Sequence, residues 1–286
     1  MRTGSRDCRE RDVSVSDPRR GVSPTILQVG SGANLVDRVA EALEQKGASV
    51  TRADVEDAVS RGDIGFVDAD RVAIHRPVPD EVDIDLPVLA RTDRYVAIDK
   101  PAGIATTPKG SYVARSVLVQ ARRQFGDDVV CAHRLDRATT GVLLLITAPH
   151  YRGAYQSLFE HRLVHKTYEF IAKTRETIPS SYSSRLSGQR GRTREVEGEA
   201  NATTRFRLLE TRGELSRYEA CPLTGQRHQI RAHASALGIP ILGDCLYGPG
   251  AGYPDRIALL ARDLSFLDPV DGSAVTVSTG QTLSFP

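Results

Sequence analysis

The sequence predicts the α+β class, on three observations. Helical periodicity and antiparallel-looking strand alternation are interleaved without the strict βα succession of a parallel sheet. A self-contained pattern of two helices and a hairpin ends near residue 88, and Pro87 opens a second, longer series of elements. With 286 residues, 40% of them hydrophobic, the chain can bury one substantial core and one small one. The expected division is a disordered tail over 1–22, a small module over 23–88 and a main domain over 89–286. No internal repeat is present.

Residues 1–22 are polar, charged and without periodicity, a composition that cannot bury enough apolar surface to order itself. In the module, Asn34 is placed to cap a helix with Leu35, Val39 and Leu43 on one face, ending at Gly47. Thr51 is placed to cap a second helix, with Asp54 in its first turn, Val55 and Val59 inward, and Gly62 at its end. Ile64–Val67 and Val72–His75 read as a hairpin around Asp68-Ala69-Asp70-Arg71.

In the main domain, Tyr95–Asp99 reads as a strand stopped by Lys100-Pro101-Ala102-Gly103. Ser116–Phe125 can form a helix with Val117, Leu118 and Ala121 on one side, and Val129–Ala132 leads into a turn. Pro149 starts a helix to about Glu160, with Tyr155, Leu158 and Phe159 apolar, and Val164–Ala172 alternates as a strand does. Residues 174–199, rich in Ser, Gly and Arg, form an exposed excursion or mobile hairpin. There Arg185, Arg190, Arg192 and Arg194 either contact phosphate or are simply solvated. Thr203–Leu209 and Leu215–Leu223 read as paired strands; Thr224 caps a helix to about Leu237, stopped by Gly238. After a loop over 247–254, three short strands, 257–261, 264–267 and 274–278, close the chain.

Bulk properties exclude several classes. No run approaches the ~18–20 apolar residues that a membrane span needs. The first residues, MRTGSRDCRERD, lack the apolar segment of a secretory signal, and their acidic residues argue against organelle import. Cys8, Cys131, Cys221 and Cys245 show no CxxC spacing and read as reduced thiols of a cytosolic protein. His161 and His165, and His228 and His233, do not share a helix face, and no HExxH is present, so a metal site is not expected. Net charge is only +2, but it is unevenly spread. Basic against acidic residues number six to four over 1–22, six to thirteen over 23–90 and 26 to 19 over 91–286. The positive excess lies where a polyanion would have to bind, although its density over about two hundred residues is modest.

The stretch of most chemical interest is Cys131–Ile146, CAHRLDRATTGVLLLI. A strand-like entry ends at His133-Arg134-Leu135-Asp136, a turn-like RATTG follows, and Val142–Ile146 is right for a buried strand. Asp136 therefore sits on a tight connection at the edge of a hydrophobic core. Either it closes the turn, as Asp often does, or it is a functional charge held by a partner.

These residues resemble the RluA-type pseudouridine synthase family, whose signature is HRLD followed by xxTSGxxLL; Thr140 here replaces the usual Ser and keeps the hydroxyl. Other segments agree in order: Lys100-Pro101-Ala102-Gly103 with KPaG, Lys166-Thr167-Tyr168 with KxY, and Gly198–Phe206 with GKxAxTxF. Thr224–His233 resembles TGRTHQIRVH, and Ile241-Leu242-Gly243-Asp244 follows it. Together they span roughly residues 90–285. The resemblance implies the pseudouridine synthase fold, a mixed, mainly antiparallel central sheet flanked by helices. It implies a monomer that isomerises uridines in structured RNA without a cofactor, with ribosomal RNA favoured and transfer RNA the alternative. It also makes the module similar to the α-L RNA-binding module, although TRADVEDAVSRGD is acidic where that module presents Lys and Arg, which phosphate binding requires.

By the same resemblance Asp136, Tyr168 and Arg231 are the catalytic candidates, and Arg134 and Arg227 the RNA-binding ones. The reaction breaks a C–N glycosidic bond, turns the uracil and rejoins it through carbon, with no redox step and no metal. A carboxylate can serve by covalent attack or in an elimination at C2′, and the residues do not choose between them. A carboxylate in a dry site needs a permanent cation, and the planar fork of Arg231 suits it. Four residues apart on the expected helix, Arg227 and Arg231 would share a face, with Arg227 towards solvent or phosphate. Tyr168 either stacks on uracil or is core, or both. Arg134, two residues before Asp136, either fills the gap left by an extruded base or contacts phosphate. Two other classes stay open: a non-catalytic RNA-binding factor on the same fold, and a hydrolase using a carboxylate or a His-bound metal, for which no motif is present.

Overall fold

A computed structural model of the chain describes residues 16–19, 21–30, 34–75, 83–108, 115–189, 191–249 and 256–286. Most of the expected tail, Arg190 and residues 250–254 of the expected loop lie outside the described residues. The chain divides into two units, Met1–Asp80 and Glu81–Pro286.

The first unit contains β1 (Thr25–Gln28), α1 (Leu35–Gln45), α2 (Arg52–Ser60), β2 (Ile64–Phe66) and β3 (Arg71–Ile74). Asn34 caps α1 through the Asp37 N–H, and Thr51 and Asp54 form a reciprocal capping box on α2. The strand β1 is not evident in the sequence pattern; it pairs antiparallel with β3, making a three-stranded sheet of order β1-β3-β2. Leu27, Val29, Val39, Val55, Ile64 and Val72 form the unit's core. Four of its arginines are turned onto its own carboxylates: Arg19 on Asp63, Arg52 on Asp37 and Glu56, Arg61 on Asp57 and Asp63, Arg71 on Asp68.

The second unit runs β4 (Val88–Arg91), β5 (Tyr95–Lys100), α3 (Val117–Phe125), β6 (Val130–Cys131) and β7 (Thr140–Ile146). A 3₁₀ turn (Pro149–Tyr151) leads into α4 (Arg152–Glu160) and β8 (His165–Lys173). There follow β9 (Ser181–Gln189), β10 (Arg192–Val196), β11 (Ala202–Arg212), β12 (Leu215–Pro222), α5 (Gln229–Ala236), β13 (Leu259–Leu267) and β14 (Ala274–Ser278). These strands form one sheet in the order β10-β9-β11-β12-β8-β13-β7-β5-β4, with β14 on β13 and β6 on β7. The class is α+β, as the pattern predicts. Every pairing is antiparallel except that of β13 with β7, where Leu260 meets Thr140 and Ala261 meets Gly141.

The second unit also differs from the sequence expectation in several places. The two expected strands 257–261 and 264–267 are one, β13, interrupted by a bulge between Ala261 and Asp263. Strands β9 and β10 do form a hairpin within 174–199, but β9 pairs with β11, and the hairpin buries Leu186 on β9 and Thr193 on β10, so it belongs to the sheet. On α3, Val119 rather than Leu118 joins Val117 and Ala121 in the core. The helix expected from Thr224 begins only at Gln229, because Gln229 turns back to take hydrogen bonds from the Thr224 hydroxyl and the Gln226 N–H.

The core strand β7 explains the position of the turn before it. Leu143, Leu144, Leu145 and Ile146 are wholly buried, each side chain contributing about 1.5–3 kcal/mol by leaving water. Gly141 is required where β7 enters the sheet: its φ is +104°, and a Cβ there would lie 2.1 Å from the Ala261 carbonyl oxygen. Gly141→Ala is therefore expected to lower stability by about 3 kcal/mol or more. Thermal melting reads this as a drop of several degrees in Tm; an unchanged Tm contradicts the packing described.

Candidate active site

The turn between β6 and β7 is held from behind. The Thr139 N–H donates to the Asp136 carbonyl at 3.1 Å, closing a turn over 136–139. The Thr106 hydroxyl donates to the Leu135 carbonyl at 2.7 Å and accepts the Leu135 N–H at 3.0 Å. Lys100, wholly buried, donates to the carbonyls of Pro101, Arg137 and Thr139 at 2.9, 3.2 and 2.8 Å. Burial pulls its ammonium down to about 7, partly offset by the nearby charge of Asp136. His133 accepts the Leu144 N–H on Nε2 and stacks on Phe159 with ring centres 4.6 Å apart. Burial, with Lys166 nearby, holds its imidazole down to about 3, so it is neutral and structural.

Asp136 thus leaves the sheet with its backbone clamped and its side chain facing a cavity. Arg231, from α5, donates from Nη1 to Asp136 Oδ2 at 3.0 Å. The rest of the guanidinium goes to Asp244: Nε to Oδ2 at 2.7 Å and Nη2 to Oδ1 at 2.8 Å, a bidentate pair. Asp244 also accepts the N–H groups of Leu246 and Tyr247. Burial opposes charge on Arg231, but the hydrogen bonds and charge of Asp244, then of Asp136, hold its pKa above the ordinary arginine value. Burial pushes the Asp244 carboxyl up, and the Arg231 and backbone donors more than reverse it, leaving it below the usual carboxylate range. The Arg231 guanidinium also lies 5.1 Å from the centre of the Tyr247 ring.

The cavity in front of Asp136 has a volume of about 360 Å³ and is lined by Arg134, Phe159, Lys166, Tyr168, Pro222, His228 and Ile230 among others. Its size is that of a small-ligand site. The Tyr168 phenol faces it; burial, reinforced by the Asp136 charge, keeps its pKa well above the usual value, so the hydroxyl is a donor at neutral pH. A larger cavity of about 1060 Å³ opens on the other side of Asp136, lined by Arg115, Arg134, Arg137, Arg227 and Arg231. Asp136, Arg134, His228 and Arg231 border both.

The structure brings Asp136, Tyr168 and Arg231 to one cavity and places the exposed Arg134 at its mouth. Arg227 is elsewhere: it precedes α5, so it shares no helix face with Arg231, and its guanidinium donates to the Gly191 carbonyl at 3.2 Å beside the larger cavity. Sequence reasoning assigned no role to Asp244, the main partner of Arg231, nor to Lys100. Both lie in segments noticed in the sequence, but nothing in the residue types shows that they meet Arg231 and the Asp136 turn. His233, weighed as a metal ligand, is buried between Thr204 and Ser184 hydroxyls.

A family model described as RNA pseudouridylate synthase matches residues 94–236. The dual-specificity RNA pseudouridine synthase RluA of Vibrio cholerae is 28% identical over 198 residues, 64% of this chain and 77% of that protein. The ribosomal large subunit pseudouridine synthase C of Rickettsia conorii is 33% identical over 172 residues, 54% of each chain. A solved structure of human RNA Pseudouridylate Synthase Domain Containing 1 matches with a TM-score of 0.58 at 24% identity, over 72% of this chain and 86% of that one, a likeness of fold.

Replacing Arg231 by Met would leave Asp244, with no side-chain exposure, facing no cation. Breaking such a buried pair from one side costs about 3–5 kcal/mol. The expected result is a large loss of stability on urea unfolding; a loss below about 1 kcal/mol would show that Asp244 does not depend on Arg231 for its burial.

Proposed function

We propose, from the premise that this chain belongs to the RNA pseudouridylate synthase family, of the RluA type, that Asp136 is the carboxylate that acts on the target uridine. The protein is an RNA pseudouridine synthase, an isomerase that converts uridine to pseudouridine within RNA. The observation that supports Asp136 is its geometry: a carboxylate on a clamped turn, one oxygen held by Arg231, facing a cavity of about 360 Å³.

Arg231 holds one oxygen of that carboxylate, and Asp244 keeps Arg231 from moving, so the carboxylate is oriented before substrate arrives. Asp136 then acts on the sugar or base beside the glycosidic bond. Tyr168 supports one face of the uracil and offers its phenol O–H as a hydrogen-bond donor to the detached base, keeping its own proton, and the enclosing walls keep that base from diffusing away while it turns. Arg134, at the mouth, is placed to stack where the extruded nucleotide has left the helix. Arg115, Arg137 and Arg227 line the larger cavity, where they suit the phosphates on either side of the target. Ribosomal RNA is the proposed substrate, with the protein acting as a cytoplasmic monomer. The Rickettsia relative's name and the breadth of the basic cavity favour ribosomal RNA.

With RNA labelled with tritium at uridine C5, Asp136→Ala is expected to abolish tritium release while leaving RNA affinity within about threefold; release at the wild-type rate would remove Asp136 from the reaction. Mapping of pseudouridine in cells lacking the protein is expected to show a missing site in ribosomal RNA. A site missing only from transfer RNA would overturn the substrate assignment.

A further inference from the structure

Pseudouridine formation has a second half that the residues above leave without a dedicated group. When uracil C5 has bonded to C1′, that carbon still carries its hydrogen, and the proton must leave. The C5–H bond breaks, its electron pair forms the C5=C6 double bond, the C6=N1 pair moves to N1, and N1 takes a proton from water. Something close to Asp136 must accept the C5 proton and return the carboxylate to its charged form.

His228 stands at that place. Its Nε2 lies 3.6 Å from Asp136 Oδ1, the carboxylate oxygen that Arg231 does not hold. The tautomer of the ring follows from its other partners. Its Nδ1 lies 3.0 Å from the Tyr247 hydroxyl oxygen. That hydroxyl donates its proton to the Thr193 carbonyl at 3.2 Å and accepts the Thr193 N–H at 2.8 Å. With the phenol proton on the Thr193 carbonyl, the phenol oxygen accepts from His228, Nδ1 carries the ring proton, and Nε2 faces Asp136 without one. The backbone of His228 is left-handed, φ +53°, an uncommon conformation for a side-chain-bearing residue, and it aims the ring across the turn.

We propose that His228 is the proton relay of the last step, taking through Asp136 the proton that leaves uracil C5. The proton passes from C5 to Asp136 Oδ1 and on to His228 Nε2, which later releases it to solvent; Asp136 is left ionised for the next turnover. This rests on Asp136 being the reacting carboxylate. The groups that face the ring are Asp136 from the turn, Arg227 and Arg231 on either side of it in sequence, and Asp244 and Tyr247 from the segment after α5. Burial, with the two arginines, outweighs the two carboxylates and holds the imidazole below its ordinary value, so it is a neutral acceptor at pH 7.

The test is His228→Asn, since Asn tolerates a left-handed backbone but cannot take up a proton. On C5-tritiated and C5-deuterated RNA, kcat is expected to fall about 100-fold with KM within about twofold. Wild-type activity should fall on an acid limb set by the imidazole, displaced below the ordinary histidine range; in the variant that acid limb should vanish. The C5-deuterium isotope effect on kcat should also fall towards unity, because the slowed step follows C5–H cleavage. A kcat near wild type, or a lower kcat with both the acid limb and the isotope effect unchanged, overturns the relay. If His228→Asn does not fold, Tyr247→Phe removes the hydroxyl that meets His228 Nδ1, together with its bonds to the Thr193 backbone; a lower kcat with a shifted acid limb is expected, and an unmoved profile overturns the relay. Asp136→Ala separates the two readings. Without activity it upholds the carboxylate whatever His228→Asn does; with activity both readings fall.

Discussion

One guanidinium shared between two carboxylates organises the chemistry of this protein. Arg231 spends its bidentate face on Asp244 and gives Asp136 a single N–H. The buried pair fixes where the cation sits, and the single bond leaves the other oxygen of Asp136 unclaimed by Arg231. Asp244 belongs to a segment that packs its own backbone N–H groups onto the same carboxylate. The orientation of Asp136 therefore depends on residues over a hundred positions away in the chain, and a fault in any of them reaches the reacting atoms.

The second constraint is mechanical. Strand β7 is clamped between β5 and β13, and its entry at Gly141 leaves no room for a side chain. The turn before it is held by the buried Lys100 and by Thr106, so the Asp136 backbone cannot relax outward. The KPaG-like segment thus works as a clamp on the HRLD turn. Held on one side by these carbonyl contacts and on the other by Arg231, the carboxylate is arranged in advance, as the proposed reaction requires.

Much of this was legible in the sequence because local signals agreed with the global fold. Asn34 and Thr51 announce their helices, Val142–Ile146 announces a buried strand, and the ordered motifs point to Asp136, Tyr168 and Arg231. What was not legible depends on meetings between distant segments. Asp244 looks like any turn aspartate until α5 is seen to aim Arg231 at it. His228 and Arg227 looked helical by pattern, yet Gln229 spends its amide on Thr224 and Gln226 and delays the helix to its own position. The strand β1 is too short to show a period, and it exists because β3 offers an open edge. The acidity of the first unit is legible by counting, but only the structure shows its arginines folded back onto its own carboxylates.

The central claim, that the Asp136 carboxylate meets the target base while Arg231 holds its other oxygen, is tested most directly by a crystal structure with bound RNA. The RNA should carry fluorine at C5 of the target uridine, which removes the proton that the last step must lose. The account predicts the fluorinated ring inside the cavity lined by Tyr168 and Ile230, against the free oxygen of Asp136, with the Arg231 contact intact. A base seated in the larger arginine-lined cavity, or a carboxylate swung away from Arg231, would contradict it.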